Sequence, residues 1–329
     1  MAEDLPISVV VATRDRPRLL AGCLDSLAGA LCGDDELVVV DSCSGDDTSL
    51  TLARDHAARA LRMGVPGASR ARNAGWRAAR HDIVAFVDDD VRVHRGWAGA
   101  LRAVLRGDES VGFVTGRLGP EPGGPEVERP VALLDRATSC PLTRSTVRDL
   151  GHGANLAVRR GALEDVGGFD ERFGPGAHWS AAEDLDLLDR LLGAGHVGRY
   201  EPSVDAWHVQ WRTRRHLLPL EWSYGTGQGA RLARLWSDDP ARARAVVRTT
   251  AWDDGLRDLA RCVRDHYEFG ALMAGVRLAG TARGALSFAA GRAVRGRFHD
   301  ATSPRCGTDP GPAVGAGERG SRRAVTAAS

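Results

Sequence analysis

Short apolar runs alternate with amphipathic stretches along the first hundred residues, and this alternation predicts strands and helices in turn. Ile7–Thr13 (ISVVVAT) is a β-branched run of the kind buried in a parallel sheet. Beyond it, Leu19, Leu20, Cys23, Leu24, Leu27 and Leu31 fall within an arc of about 140° at about 100° per residue, the apolar stripe of a helix. Glu36–Asp41 (ELVVVD) reads as a second strand, followed by a polar turn and a helix over 44–59. Residues 68–80 read as a helix. Residues 82–87 (DIVAFV) read as a strand that runs straight into Asp88, Asp89 and Asp90. The succession predicts an α/β fold, a mostly parallel sheet with helices on both faces. Ligands of such sheets gather beyond the carboxyl ends of the strands, where Asp41 and the Asp88, Asp89, Asp90 run both stand.

Later signals are more widely spaced. Residues 111–115 read as a strand, and 119–130 (GPEPGGPEVERP) must be a loop. Order resumes at 151–159 and at a helix over 182–192; a strand-like run covers 197–209, and Arg-rich helices follow to residue 298. After Phe298 there is no Leu, Ile, Phe, Trp or Tyr, so a disordered tail is expected over 299–329. The expected organisation is one half-domain over 1–118, a second over 119–225, a helical region over 226–298, and that tail. Gly225, Gly227 and Gly229 follow no strand and are discounted as a dinucleotide loop.

Composition mainly excludes. Forty-four basic residues face 43 acidic ones for a net charge of +1, so no global field draws the chain to nucleic acid. Every one of those basic residues is Arg. The absence of Lys rules out a Walker-A loop, a Schiff-base enzyme and a Lys general base. Any phosphate must be gripped by Arg, backbone N–H or metal. The six cysteines show neither a CxxC pair nor zinc-finger spacing and suit a reducing compartment. The opening MAEDLPISVVVATRDR does not read as a secretory signal, and no stretch reaches ~18 apolar residues. A cytoplasmic location is expected, with residues 270–298 as the candidate for peripheral contact with the inner face of the membrane. Arg277, Arg292 and Arg295 cluster within about 60° on a wheel there, but Arg283 breaks the pattern, and a packed helical layer is the favoured account.

Candidate chemistry sits at strand and helix ends. Asp88, Asp89 and Asp90 repel one another unless a hard cation or a donor compensates them; the alternative is a solvated acidic turn. Asp41 could accept a nucleobase N–H or merely close a turn. Thr13 and Arg14 share that rim. Arg70, Arg72 and Asn73 open the helix at 68, where a helix N-terminus and a bidentate Arg could bind diphosphate. In the run 183–192, with Asp184 set at zero, Leu191, Leu188, Leu192 and Leu185 fall at about −20°, 40°, 80° and 100°. Asp184 therefore shares the inward face, while Glu183, Asp186 and Arg190 lie on the other side. A first-turn carboxylate facing inward is costly unless used, and the helix dipole keeps it ionised as a general base requires. His208, alone in a strand-like run, is by itself a structural histidine.

Taken together these residues resemble the family 2 inverting glycosyltransferases, nucleotide-sugar transferases of the GT-A fold. The matching segments run in order: 7–16; VVVDSCSGDDT at 38–48; GASRARNAG at 67–75; FVDDD at 86–90; GHGANLAVRRGALEDVGGFDERF at 151–173; and EDLDLLDR at 183–190. Ser42 and Asp15 depart from the pattern. The resemblance implies a GT-A sheet with an acceptor subdomain and C-terminal helices. It implies that Thr13 and Asp41 read the base of a UDP- or dTDP-type donor and that Asp88 and Asp89 meet the nucleotide. Arg14, Arg70, Arg72 and Asn73 would face the diphosphate. Asp90, with Asp88 and His208, would hold Mg²⁺ or Mn²⁺. Asp184 would be the base, with Glu183 as the alternative, and Asn155, Gly168, Phe169 and Asp170 would shape the acceptor pocket. The acceptor would be a glycan, a lipid-linked sugar or a small natural product, and the oligomeric state is left open. A nucleotidyltransferase and a non-catalytic binding module are the competing readings. The first should carry a Lys-bearing Gly-rich loop after strand one, which is missing; the second could lose the carboxylates, which are all present.

Overall fold

A computed structural model describes residues 5–124, 127, 131–249 and 255–293. In chain order the elements are β1 (Ile7–Thr13), α1 (Pro17–Ala28), β2 (Glu36–Asp41), α2 (Thr48–Asp55), β3 (Arg59–Arg62), α3 (Ala68–Ala78), β4 (Ile83–Asp88), β5 (Val91–Val93), α4 (Trp97–Gly107) and β6 (Val111–Pro120). They continue with β7 (Cys140–Leu142), α5 (Val147–Leu150), β8 (Asn155–Arg159), α6 (Arg160–Val166), α7 (Glu183–Gly193), β9 (Val197–His208), α8 (Arg214–Asp238), α9 (Pro240–Thr249), α10 (Arg257–Arg264) and α11 (Glu268–Ala293).

One sheet runs in the order β3-β2-β1-β4-β8-β6-β9-β5, with β7 on β9. β1, β2, β3, β4, β6 and β9 point one way; β5, β7 and β8 point the other. The central strands β1 and β4 are buried on both faces, which is why Val and Ile run through them without polar alternation. Register then aligns chemistry: Thr13 pairs with Asp41 and Ala12 with Asp88, so three strand ends share one rim. The expected α/β architecture is the one observed. The helix expected over 44–59 is shorter, because the chain turns at His56 and Ala57 to add β3.

The boundary expected at 225/226 falls inside the continuous helix α8. Gly225 and Gly229 there, with Gly280 and Gly284 on α11, form a helix–helix seam. A Cβ on Gly229 would stand 1.9 Å from the Thr281 carbonyl oxygen, and one on Gly284 would stand 2.0 Å from that of Thr226. The glycine triad that resembles a ligand loop is a packing surface. Phe288 and Ser287 of α11 dock on Trp179, with ring centroids 5.1 Å apart and the indole N–H donating to Ser287 Oγ at 2.8 Å. Residues 270–293 thus lie in a packed helical layer, as favoured; 294–298 and the expected tail lie outside the described residues. Among the described residues, no helix is long and apolar enough to cross a membrane.

Candidate functional site

The three aspartates that end β4 diverge. Asp89 turns into the core: Thr13 Oγ1 donates to its Oδ2 (2.8 Å) and Arg16 Nη1 to its Oδ1 (3.1 Å). Burial, the neighbouring charges of Asp90 and Asp88, and incomplete relief by Arg16 push its carboxyl up to about 7. Asp89 is therefore a brace between β1 and β4, not a group open to a nucleotide. Asp88 accepts from Arg72 Nη2 at 2.6 Å. Burial opposes its ionisation, but that guanidinium outweighs it and holds the carboxyl below the usual range. Asp90 accepts from the indole N–H of Trp211 (2.8 Å), and His208 Nε2 lies 3.5 Å from its Oδ1.

A second layer surrounds Asp90. Arg16 lies 4.8 Å and Arg212 4.6 Å from the Trp211 ring centroid, and both approach the Asp90 carboxylate, at 3.8 and 3.7 Å. Nη1 of Arg212 is buried with no hydrogen-bond partner. Arg16, Trp211 and Arg212 were not singled out from the sequence. The available signal was the run Gln210, Trp211, Arg212 directly beyond His208.

Arg72 is not aimed at open solvent. Its Nη1 reaches Glu183 Oε1 at 2.9 Å while Nη2 holds Asp88, so one guanidinium clamps the end of β4 to the start of α7. The N-terminus of α3 is closed as well. Ala68 N–H donates to the Pro175 carbonyl (2.9 Å) and Ser69 Oγ to that of Phe173 (2.7 Å), so the 173–175 segment packs over this helix start. Asn73 spends its amide on Phe169 N and O and on Glu171 and Trp76, and Arg70 pairs with Glu171 at 3.3 Å. The structure therefore corrects the expectation that this helix start grips phosphate: these side chains pin the 168–175 segment. Arg14 alone of the expected phosphate group stays half-exposed on the rim, 3.4 Å from Asp15. Asp41 is fully buried, accepting from Ser44 N–H and from two nitrogens of Arg62. A nucleobase at Asp41 would have to share it with Arg62, which sequence reasoning missed because no strand is assigned beyond the helix expected over 44–59.

The expected acceptor residues are likewise largely structural. Asn155 donates to the Arg117 and Val204 carbonyls and accepts from Trp97, joining β6, β9 and α4. Phe169 is buried edge-on to Phe86 at 5.0 Å. Gly168, at φ +73°, leaves no room for a Cβ, which would meet Asn73 and Trp76 at 2.6 Å. Asp170 pairs with Arg172 and Arg234, which offset burial and hold its carboxyl low.

The two carboxylates at the start of α7 divide as follows. Glu183 is buried against Arg72; burial still pushes its carboxyl up, and the Asp184 charge adds to this. The wheel placed Glu183 and Asp186 on an outward face, and the structure corrects this. Arg72 covers Glu183, and Arg190 and Arg234 cover Asp186, so the polar side is buried in ion pairs. Asp184 is half-buried instead. Its Oδ2 accepts from Gly153 N–H (3.1 Å) and its Oδ1 from Leu185 N–H (2.7 Å), and it borders a cavity of about 1110 Å³. Ala182 enters the helix at φ +67°, an uncommon non-glycine conformation. Behind it, Gly227 of α8 lies so close to the Ala181 carbonyl that a Cβ would stand 2.4 Å away.

Among the described residues no group of three or more His, Cys, Asp or Glu is arranged to hold a metal. Asp90 and His208 are a two-residue set, which suits a cation whose other ligands come from substrate phosphate. Burial lowers the His208 pKa, so the ring is neutral as a ligand must be. Gln210 Nε2 faces its Nδ1 at 2.8 Å. Val131 fixes that amide: its N–H donates to Gln210 Oε1 (2.9 Å) and its carbonyl accepts from Nε2 (3.0 Å). Gln210 Nε2 therefore donates to His208 Nδ1, and the ring proton sits on His208 Nε2 facing Asp90. A metal on His208 Nε2 would have to displace that proton and break the Gln210–Val131 pair.

Residues 8–167 match the family model described as Glycosyl transferase family 2. A Mycobacterium tuberculosis protein named pre-mycofactocin glycosyltransferase is 35% identical over 184 residues, which cover 53% of this chain and 37% of that protein. The matched part thus spans well under half of that relative's length. In fold, the chain is similar to a mannosyltransferase, PcManGT from Pyrobaculum calidifontis, solved with GDP-Man and Mn²⁺ (TM-score 0.55, 20% identity, 88% of this chain and 79% of that one). It is also similar to TarS of S. aureus (TM-score 0.53, 16% identity, 82% and 54%). Both likenesses show the GT-A fold.

Proposed function

We propose that this chain, which belongs to glycosyl transferase family 2 through residues 8–167, moves a sugar from a nucleotide-diphosphate donor to an acceptor hydroxyl with inversion. The observation that carries this reading is the Arg72 clamp. It sets the donor-side rim one guanidinium away from α7, where Asp184 borders a cavity and Glu183 is already spent on an ion pair.

Asp184, fixed by two backbone N–H groups, takes the acceptor proton as the oxygen attacks the anomeric carbon. The bond to the diphosphate breaks on the opposite face. Arg16 and Arg212, stacked on Trp211 beside Asp90, meet the negative charge that develops there. Mg²⁺ or Mn²⁺ on Asp90 and His208 would supply further neutralisation of that charge. The nucleobase would be read at the Thr13 and Asp41 strand ends, with Arg14 on the rim, and would have to compete with Asp89 for Thr13 and with Arg62 for Asp41. UDP or dTDP is the donor type expected there, while the relative solved with GDP-Man makes guanosine the competitor.

Thermal denaturation with UDP, dTDP, GDP and CDP, each with and without Mn²⁺, tests this. A nucleotide at about 100 times its Kd adds about 2.7 kcal/mol of stability. The reading predicts a shift with one nucleotide that grows with metal; no shift with any of them, metal present, overturns it.

A further inference from the structure

The cavity beside Asp184 is graded along its length. Residues at steps of four on one face of α8 line it: Tyr224, Gln228, Leu232 and Trp236. On α11 the same spacing gives Arg277, Thr281, Ala285 and Ala289. The two helices run side by side in the same direction, since Gly225 faces Gly280 and Gly229 faces Thr281 and Ala285. These two rows therefore pass from polar to apolar together, over roughly 18 Å at about 1.5 Å per residue, although Leu278 and Ala282 also line the polar end and Ser237 the apolar end. Asp184 stands at the polar end: Gly227 abuts Ala181, and Asp184 and Arg277 both lie within electrostatic reach of Tyr224. At the other end Trp236 and Leu286 remain exposed.

We infer that the acceptor is an amphiphile whose hydroxyl-bearing head lies at Asp184 and whose apolar chain lies between α8 and α11. This rests on the transfer reading and names the substrate class for it. A chain of sugars would need hydrogen-bond partners along its whole length, and Leu232, Trp236, Ala285, Leu286 and Ala289 offer none from their side chains except one indole N–H. An apolar chain gains from those contacts and covers the exposed Trp236 and Leu286. A volume of about 1110 Å³ exceeds the roughly 300–1,000 Å³ typical of small-ligand pockets, so the site has room for a head and a tail.

The test uses methyl, octyl and dodecyl β-glucosides below their micellar concentrations, with the full chain, metal, and whichever nucleotide-sugar matches the stabilising nucleotide. Transfer measured as kcat/KM should rise at least 100-fold from methyl to dodecyl. Calorimetry should detect dodecyl glucoside and not methyl glucoside binding without any donor. Ala285→Trp, which fills the cavity, and Leu286→Gln, which puts an amide on its apolar wall, should each reduce the chain-length effect below tenfold while keeping the nucleotide-induced thermal shift. Presenting dodecyl glucoside in phosphatidylcholine vesicles separates the two sources of such a chain: faster transfer than in solution assigns it to a membrane lipid, slower transfer to a soluble amphiphile. Equal kcat/KM for methyl and dodecyl glucosides, or an unchanged chain-length effect in both folded variants, overturns the inference. Nucleotide binding without chain-length dependence overturns it alone; chain binding without any nucleotide shift overturns the transfer reading alone.

Discussion

Two regions meet at Asp184, and they are held together by opposite means. The donor-side rim is a lattice of ionisable groups: Asp90 and Glu183 are buried carboxylates and Asp88 a partly buried one, each within ion-pair distance of Arg72, Arg16 or Arg212. The α8–α11 pair is held mainly by a glycine seam in which backbone meets backbone, with one ion pair, Arg277 to the buried Glu221, at its polar end. Charges at the rim fix positions to which a highly charged donor must be matched, at the cost of desolvation. A glycine seam carries no charge, and it leaves the faces on either side of it free to line a cavity. On the proposed transfer reading, the difference means that the donor is selected by electrostatics and the acceptor by shape and apolar contact.

Four substitutions break or sharpen that contrast. Asp184→Asn touches the point where the regions meet and should lower kcat by about 10²–10⁴ while leaving nucleotide affinity unchanged. Steady-state kinetics beside thermal shift would show it; unaltered turnover would move the base to another residue. Arg72→Ala leaves Asp88 and Glu183 buried without their shared cation, and urea unfolding should show a loss of about 3–5 kcal/mol. A loss under 1 kcal/mol would mean that the rim does not depend on its charges.

Asp89 provides a pH test of the same lattice. Its folded pKa of about 7 is above the ordinary carboxylate value, so the fold favours the neutral form. That stability is fully present below the ordinary carboxylate range and is lost as pH rises to about 7. Relative to Asp89→Asn, the natural chain should lose on the order of 2–3 kcal/mol between pH 4 and pH 7.5, measured by denaturant titration at each pH. Parallel pH profiles would remove Asp89 from the lattice. On the other side, Gly229→Ala should cost about 1–2 kcal/mol through overpacking against Thr281, with little pH dependence. A marked pH dependence there would erase the contrast between the regions.

How much of this was legible in the sequence follows from the same contrast. β1, β2 and β4 are β-branched runs whose burial demands that composition, so the rim could be read from where they stop. The α7 carboxylates could be found but not sorted. Helical periodicity equates polar with outward, and it has no term for Arg72, more than 100 residues away, covering Glu183. Asn73 and Asn155 fit a motif, yet a motif does not show whether an amide faces a ligand or, as here, closes hydrogen bonds within the chain. The glycine seam was hidden for a simpler reason. Glycine disfavours helix in isolation, and only the opposing helix supplies the reason for its presence.

The contact between Gly227 and the Ala181 carbonyl has a consequence for how such a chain can diversify. The distance between α7 and the helical pair is set by this main-chain contact together with the ion pairs of Arg231 with Asp189 and Arg234 with Asp186, four side chains that do not line the cavity beside Asp184. Mutation can therefore redecorate both cavity walls, position by position, without loosening what places Asp184. On the proposed reading, acceptor preference is the adjustable property of such a chain and the place of proton abstraction the fixed one.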